Sequence, residues 1–204
     1  MIDAILDVTL TAAARVITGC RARWLAPPPL TGAAVFFGNH TSHLDTLAIR
    51  SALPRELRRR CRPVAARDYW SRTGLRRWVA TRALRAVLIE RQHVDRHSNP
   101  LPALIELLDR GEAIILFPEG GRRDDQETGD FRSGLFHIAR KRPQTPLYPV
   151  LLENLNRILP RGEVLPVPLI GSVVIGEPIH LLVDETKQGF LARARGALDS
   201  LRSR

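Results

Sequence analysis

The chain has 204 residues, 44% of them hydrophobic and 25% charged, the proportions of a globular protein with one sizeable core and not of a disordered or fibrous one. Its two cysteines, Cys20 and Cys61, are too few for a disulfide framework or a zinc ribbon and point to a reducing, intracellular setting. The net charge of +10 is local: residues 50–96 hold fourteen arginines against Glu56, Asp68, Glu90 and Asp95, and such a segment suits phosphate groups on a substrate, a nucleic acid or an anionic membrane.

From the N-terminus, residues 1–26 read as an amphipathic helix. Asp3, Asp7, Thr11 and Arg15 recur every four residues as a polar stripe among Ile, Leu, Val and Ala. That pattern suits a helix lying on the protein's own core or on a membrane surface, whereas a spanning helix needs about twenty residues nearly free of charge. Pro27, Pro28 and Pro29 end the helix, and residues 30–204 are expected to form the main domain. Apolar runs then alternate with amphipathic ones. Strands are expected at 33–38, 63–66, 87–90, 113–117, 147–152 and 171–175. Helices are expected at 42–53, 68–83 with a break near Gly74, 100–110, 133–141 and 186–201. Residues 120–130 read as a polar loop. Alternating strands and helices predict a single α/β domain with a largely parallel sheet flanked by helices. In such sheets function gathers at the carboxyl ends of strands, where Gly38–Asp45 (GNHTSHLD) and Phe117–Arg122 (FPEGGR) both fall.

GNHTSHLD admits three readings. His40, His43 and Asp45 are metal-ligand types, although a His-x-His-x-Asp-His zinc site would need histidines where Thr41 and Thr46 stand. Ser42-x-x-Asp45 is also a capping box, with Ser42 as N-cap and Asp45 reaching back. As a catalytic pair, His40 and Asp45 would point roughly 140° apart within one continuous helix. With Ser42 as the cap, His40 instead lies in the preceding loop and folds back over the first turn, where helix N–H groups also suit an anion.

Taken with the rest of the chain, His40-x4-Asp45 resembles the NHxSxxD motif of the glycerolipid acyltransferases, the family of 1-acylglycerol-3-phosphate acyltransferase. Leu88-Ile89-Glu90-Arg91 is similar to that family's second motif. FPEGGR resembles its Phe-Pro-Glu-Gly-Thr-Arg, with Gly121 in place of threonine. Phe131-Arg132-Ser133-Gly134-Leu135-Phe136 is similar to Phe-Lys-x-Gly-Ala-Phe, and Leu147-Tyr148-Pro149-Val150 to the proline-bearing fourth motif. Order and spacing agree across residues 33–180.

The resemblance implies a glycerol-3-phosphate acyltransferase-like fold and acyl transfer from acyl-CoA or acyl-acyl carrier protein to a lysophospholipid. Lysophosphatidic acid is the default acceptor, with another lysophospholipid or a lyso-aminolipid as alternatives. His40 and Asp45 would be the catalytic dyad, and Arg91, Glu119, Gly120, Gly121 and Arg122 would bind substrate. His43 would be a bystander. No metal and no cofactor beyond the acyl thioester are expected. Cys61 is the rival nucleophile, since Arg60 and Arg62 beside it favour a thiolate. Tyr69, Trp70, Leu75 and Trp78 among the arginines suit a membrane interface or an anionic acyl donor, and no nucleic-acid motif accompanies them. The expected location is peripheral, on the cytoplasmic face of the cell membrane. Two rivals remain from other classes, a metal-dependent hydrolase and a non-catalytic basic module that binds membrane or nucleic acid.

Overall fold

A computed structural model describes residues 2–90, 99–122, 127–159, 167 and 169–203, with only the backbone for residues 2–7 and Leu75. Helix α1 spans Ile2–Thr18 and strand β1 Arg21–Trp24. Strand β2 (Ala34–Gly38) leads into α2 (Asp45–Ala52), α3 (Arg55–Arg59) and β3 (Cys61–Ala66). Short helices α4 (Arg67–Trp70) and α5 (Gly74–Trp78) follow, then a π-helical turn at Val79–Ala83 and β4 (Val87–Ile89). The chain continues through α6 (Leu101–Asp109), β5 (Ala113–Leu116), α7 (Gly134–Lys141), β6 (Leu147–Glu153), α8 (Leu155–Ile158), β7 (Ser172–Ile175) and α9 (Lys187–Asp199).

Among the described residues the strands form one seven-stranded sheet in the order β1-β7-β6-β2-β5-β3-β4. Every pairing is parallel except β6 with β7, which is antiparallel. The expected α/β architecture is therefore present. At its centre, β2 is buried along its whole length because alternate residues feed cores on both faces. Val35 and Phe37 pack with Leu104, Leu135 and Phe190, while Ala34 and Phe36 pack with Ile49, Leu53 and Tyr148. Strands covered on both faces read as unbroken apolar runs, and each large side chain buried this way contributes roughly 1.5–3 kcal/mol. Gly38 ends β2 so close to β6 that a Cβ there would lie 2.9 Å from the Val150 carbonyl oxygen. The backbone emerges from the centre of the sheet at that point.

The N-terminal stretch divides differently from the expectation. Helix α1 stops at Thr18, and Arg21–Trp24 joins the main sheet by pairing with Ser172–Ile175. Helix α1 packs on α2. Ala14, Thr11 and Thr18 face inward, and Arg15 donates to the Ser51 carbonyl at 2.8 Å. Thr11 and Arg15 of the polar stripe thus meet the protein, and Val16, 84% exposed, and Val8 face outward.

The arginine-rich segment also has an internal role. Arg50 and Arg58 are buried; Arg50 donates to the Cys61 carbonyl at 2.9 Å and Arg58 to Leu53 at 3.1 Å. Arg60 holds the carbonyls of Pro29, Gly32 and Gly111. A guanidinium offers five fixed donors, so these arginines satisfy loop carbonyls that would otherwise lack partners. Arg55, Arg59, Arg67, Arg72, Arg76, Arg77, Arg82 and Arg85 remain on the surface.

Candidate active site

The loop after β2 is pinned before it turns. Asn39, buried at the end of the strand, donates its side-chain amide to the Leu152 carbonyl at 2.9 Å and accepts from the Leu152 N–H at 2.8 Å. His40 comes next. Its Nδ1 lies 2.8 Å from Asp45 Oδ2, and the same oxygen accepts the Thr41 N–H at 2.7 Å and the Ser42 N–H at 2.9 Å. An oxygen that accepts two amides is an acceptor for the ring as well, so Nδ1 carries the proton and Nε2 the lone pair. The Asp45 side chain is fully buried and that of His40 is 23% exposed. Phe117 stacks on the imidazole with centroids 4.2 Å apart and planes 15° from parallel.

The helix start departs from the expected capping box in one respect. Helix α2 begins at Asp45, and Leu44 is its N-cap with no side-chain hydrogen bond. The Ser42 hydroxyl accepts from Leu44 N–H at 3.3 Å, a local turn in place of a cap. Asp45 does reach back to Ser42, as that motif requires, but also to Thr41. The N–H groups of Thr41 and Ser42 are therefore occupied by Asp45 and are not offered to an anion.

His40 opens on a cavity of about 840 Å³, within the range of small-molecule sites. One wall is apolar, built from Val64, Ala65, Ile89, Leu101, Leu104 and Leu135; the other carries His40, Tyr69, Glu90, Arg122, Arg132 and His137. Arg122 lies over the Tyr69 ring at 5.9 Å. The cavity therefore joins a general-base candidate, two arginines and an apolar wall.

Residues 21–153 match the model of the family described as Acyltransferase. The chain belongs to the acyltransferase family. The chloroplastic 1-acyl-sn-glycerol-3-phosphate acyltransferase LPAT1 of Arabidopsis thaliana is 29% identical over 154 residues, covering 72% of this chain and 39% of the plant protein. The corresponding BAT2 protein of Brassica napus is 36% identical over 63 residues, 31% of this chain and 18% of its own length. This acyltransferase thus spans less than two fifths of either plant relative. The crystal structure of the 1-acyl-sn-glycerophosphate (LPA) acyltransferase PlsC from Thermotoga maritima shares the fold, with a TM-score of 0.71 over 98% of this chain and 82% of that one at 19% identity.

Of the residues singled out in this acyltransferase, His40, Asp45, Glu119, Gly120 and Arg122 converge at one end of the sheet, and Arg91 lies outside the described residues. Glu119 touches backbone: Oε1 accepts the His40 N–H at 3.0 Å and Oε2 the Gly129 N–H at 3.0 Å. Gly120, with φ of +74°, leaves space that the Arg132 side chain fills, since a Cβ would lie 2.4 Å from Arg132 Nε. Gly121 has open space where a side chain would begin, so the threonine of the related motif would meet nothing there among the described residues. His43 is exposed and stacks on Tyr69 at 5.1 Å, away from the dyad hydrogen bonds.

Three contributors had no assigned role in the sequence reading: Asn39, Phe117 and Arg132. Asn39, Phe117 and Arg132 stand inside recognised motifs, and only their neighbours had been given chemistry. Cys61 is fully buried at the start of β3. Burial pushes its thiol up to about 12, and Arg50, Arg60 and Arg62, which pull the other way, do not offset it. The neighbouring cations act in the expected direction, but desolvation is the larger effect.

Proposed function

We propose that this acyltransferase transfers a fatty acyl group from acyl-CoA or acyl-acyl carrier protein to the free hydroxyl of 1-acylglycerol-3-phosphate, giving phosphatidic acid. The observation that carries the reading is the His40–Asp45 hydrogen bond at the mouth of a cavity with one apolar and one cationic wall. The similarity to plant and Thermotoga proteins named as 1-acyl-sn-glycerol-3-phosphate or LPA acyltransferases supports the choice of acceptor. His40 Nε2 takes the proton of the acceptor hydroxyl as its oxygen attacks the thioester carbon. Asp45 holds the ring and stabilises the imidazolium. The tetrahedral intermediate collapses, the carbon–sulfur bond breaks, and the leaving thiolate recovers the proton from His40. Arg122 and Arg132 bind the acceptor phosphate, the guanidinium fork matching its oxygens. The apolar wall takes acyl chain. The chemistry calls for no cofactor beyond the acyl thioester.

The protein works at the cytoplasmic face of the cell membrane as a peripheral enzyme. No helix among the described residues is long and apolar enough to cross a membrane. Exposed Val16, Ile17 and Ile170 support a surface association. They stand at the active-site end of the sheet, because Arg21 pairs with Ser172 and Ser172 with Glu153, at the far end of β6.

A panel of lysolipid acceptors, each offered with acyl-CoA and acyl-acyl carrier protein and read by mass spectrometry, tests the proposal. Phosphatidic acid as the dominant product supports it. Preferred acylation of a lyso-aminolipid or a neutral lysolipid moves the acceptor assignment, and binding without turnover on any acceptor overturns it.

A further inference from the structure

Glu119 had been expected to bind substrate, yet both oxygens of its carboxylate accept backbone N–H groups, one from His40 and one from Gly129, each at 3.0 Å. These amides belong to different loops. The first follows β2, and the second belongs to the connection between β5 and α7. We infer that Glu119 is a positioning residue for the general base, tying the His40 backbone to the β5–α7 connection so that the imidazole keeps its place over the cavity.

Three restraints then meet on one residue. Asp45 holds the ring at Nδ1, Phe117 covers a ring face, and Glu119 fixes the backbone N–H from which the side chain springs. The restraints are complementary. Asp45 holds the ring and the N–H groups of Thr41 and Ser42 that follow it, whereas the N–H of His40 itself is held by Glu119. Phe117 and Glu119 both belong to the FPEGGR turn, closed by the Gly120 N–H donating to the Phe117 carbonyl at 3.1 Å, so one turn supplies two of the three. Hydrogen bonds from amides to a carboxylate are charge-assisted and about twice as strong as neutral ones. Displacing a catalytic group by about 1 Å costs on the order of 10²-fold in rate.

The inference rests on His40 acting as base, and the experiment separates the two. Glu119→Gln and Glu119→Asp are made alone and in a His40→Ala background, with folding checked by thermal melts. Glutamine has a single acceptor oxygen and cannot serve both N–H groups. Aspartate keeps the charge but is one methylene short, and it supplies the test if the glutamine variant does not fold. With lysophosphatidic acid, kcat is expected to fall about 30–100-fold while the acceptor KM changes less than about twofold. In the His40→Ala background the same substitution is expected to cost nothing further, because the group it positions is gone.

A rise in acceptor KM at unchanged kcat overturns the inference in favour of substrate binding. A loss of the same size with and without His40 overturns it too, as does a melt that drops with kcat and KM intact. If His40→Ala itself keeps full activity, the proposed function fails first. If His40→Ala is inactive while both Glu119 variants behave as wild type, only the positioning role fails.

Discussion

Asp45 Oδ2 takes three hydrogen bonds, from His40, Thr41 and Ser42, so it orients the base and shapes the loop at once. Asp45→Asn is expected to lower kcat about 10³-fold with little change in KM, measured by steady-state kinetics, and to cost about 1–3 kcal/mol in urea unfolding. Gly120→Ala meets Arg132 and a positive φ together, so it is expected to destabilise by about 1–3 kcal/mol and to raise the acceptor KM as Arg132 is displaced. At Cys61 the folded pKa lies above the usual value. The neutral thiol's contribution is complete below pH 9 and is lost as pH rises toward about 12. Cys61→Ala should retain acyl transfer, and its unfolding free energy should depend less on pH over that window. That His40 and Asp45 come together was legible from their spacing and from the motifs that follow. Their meeting was expected through a Ser42 cap, whereas the carboxylate itself holds the loop. The role of Glu119 was not legible, because its partners are backbone amides 79 and 10 residues away and a motif does not display backbone contacts.

At the level of elements, the apolar strands and the longer helices were readable because their patterns match burial. Strands β2, β5 and β6 are unbroken apolar runs with helices on both faces. β1 was missed because RARW alternates over only four residues, too short a run to stand out from the N-terminal helix it follows, and it sits at the sheet edge, exposed along most of its length. The strand β3 begins at Cys61, two residues earlier than expected, since the polar Arg62 between buried Cys61 and Pro63 pairs outward with Glu112. The stretch expected as one broken helix after Arg67 is two short helices and a π-helical turn at Val79–Ala83, a distinction that residue type does not encode. Asn39 extends the β2–β6 pairing by one side chain, and that sets where the catalytic loop leaves the sheet. Asn39→Ala strands the N–H and C=O of Leu152, and is expected to cost about 2–4 kcal/mol in urea unfolding and to lower kcat as the loop drifts.

At the scale of the molecule, the net charge of +10 divides into two uses. Arg50, Arg58 and Arg60 hold backbone carbonyls inside the fold, and other arginines of α3, α4 and α5 lie on the surface, where the proposed anionic partners would meet them. Vesicle sedimentation tests the proposed surface association. Binding to anionic vesicles is expected to exceed binding to zwitterionic ones, to weaken as salt rises, and to fall about tenfold in a Val16→Asp, Ile170→Asp double variant. Charge and composition alone left membrane, nucleic acid and phosphate substrate open; the cavity at the end of β2, lined by His40, arginines and an apolar wall, is what the proposed lysophospholipid substrate rests on. The most direct measurement is the rate of acyl transfer from a thioester to lysophosphatidic acid by wild type and by folded His40→Ala. The dyad predicts phosphatidic acid from wild type and a loss of about 10³-fold or more in the variant. Wild-type turnover in His40→Ala, or none in the wild-type protein with either acyl donor, would contradict it.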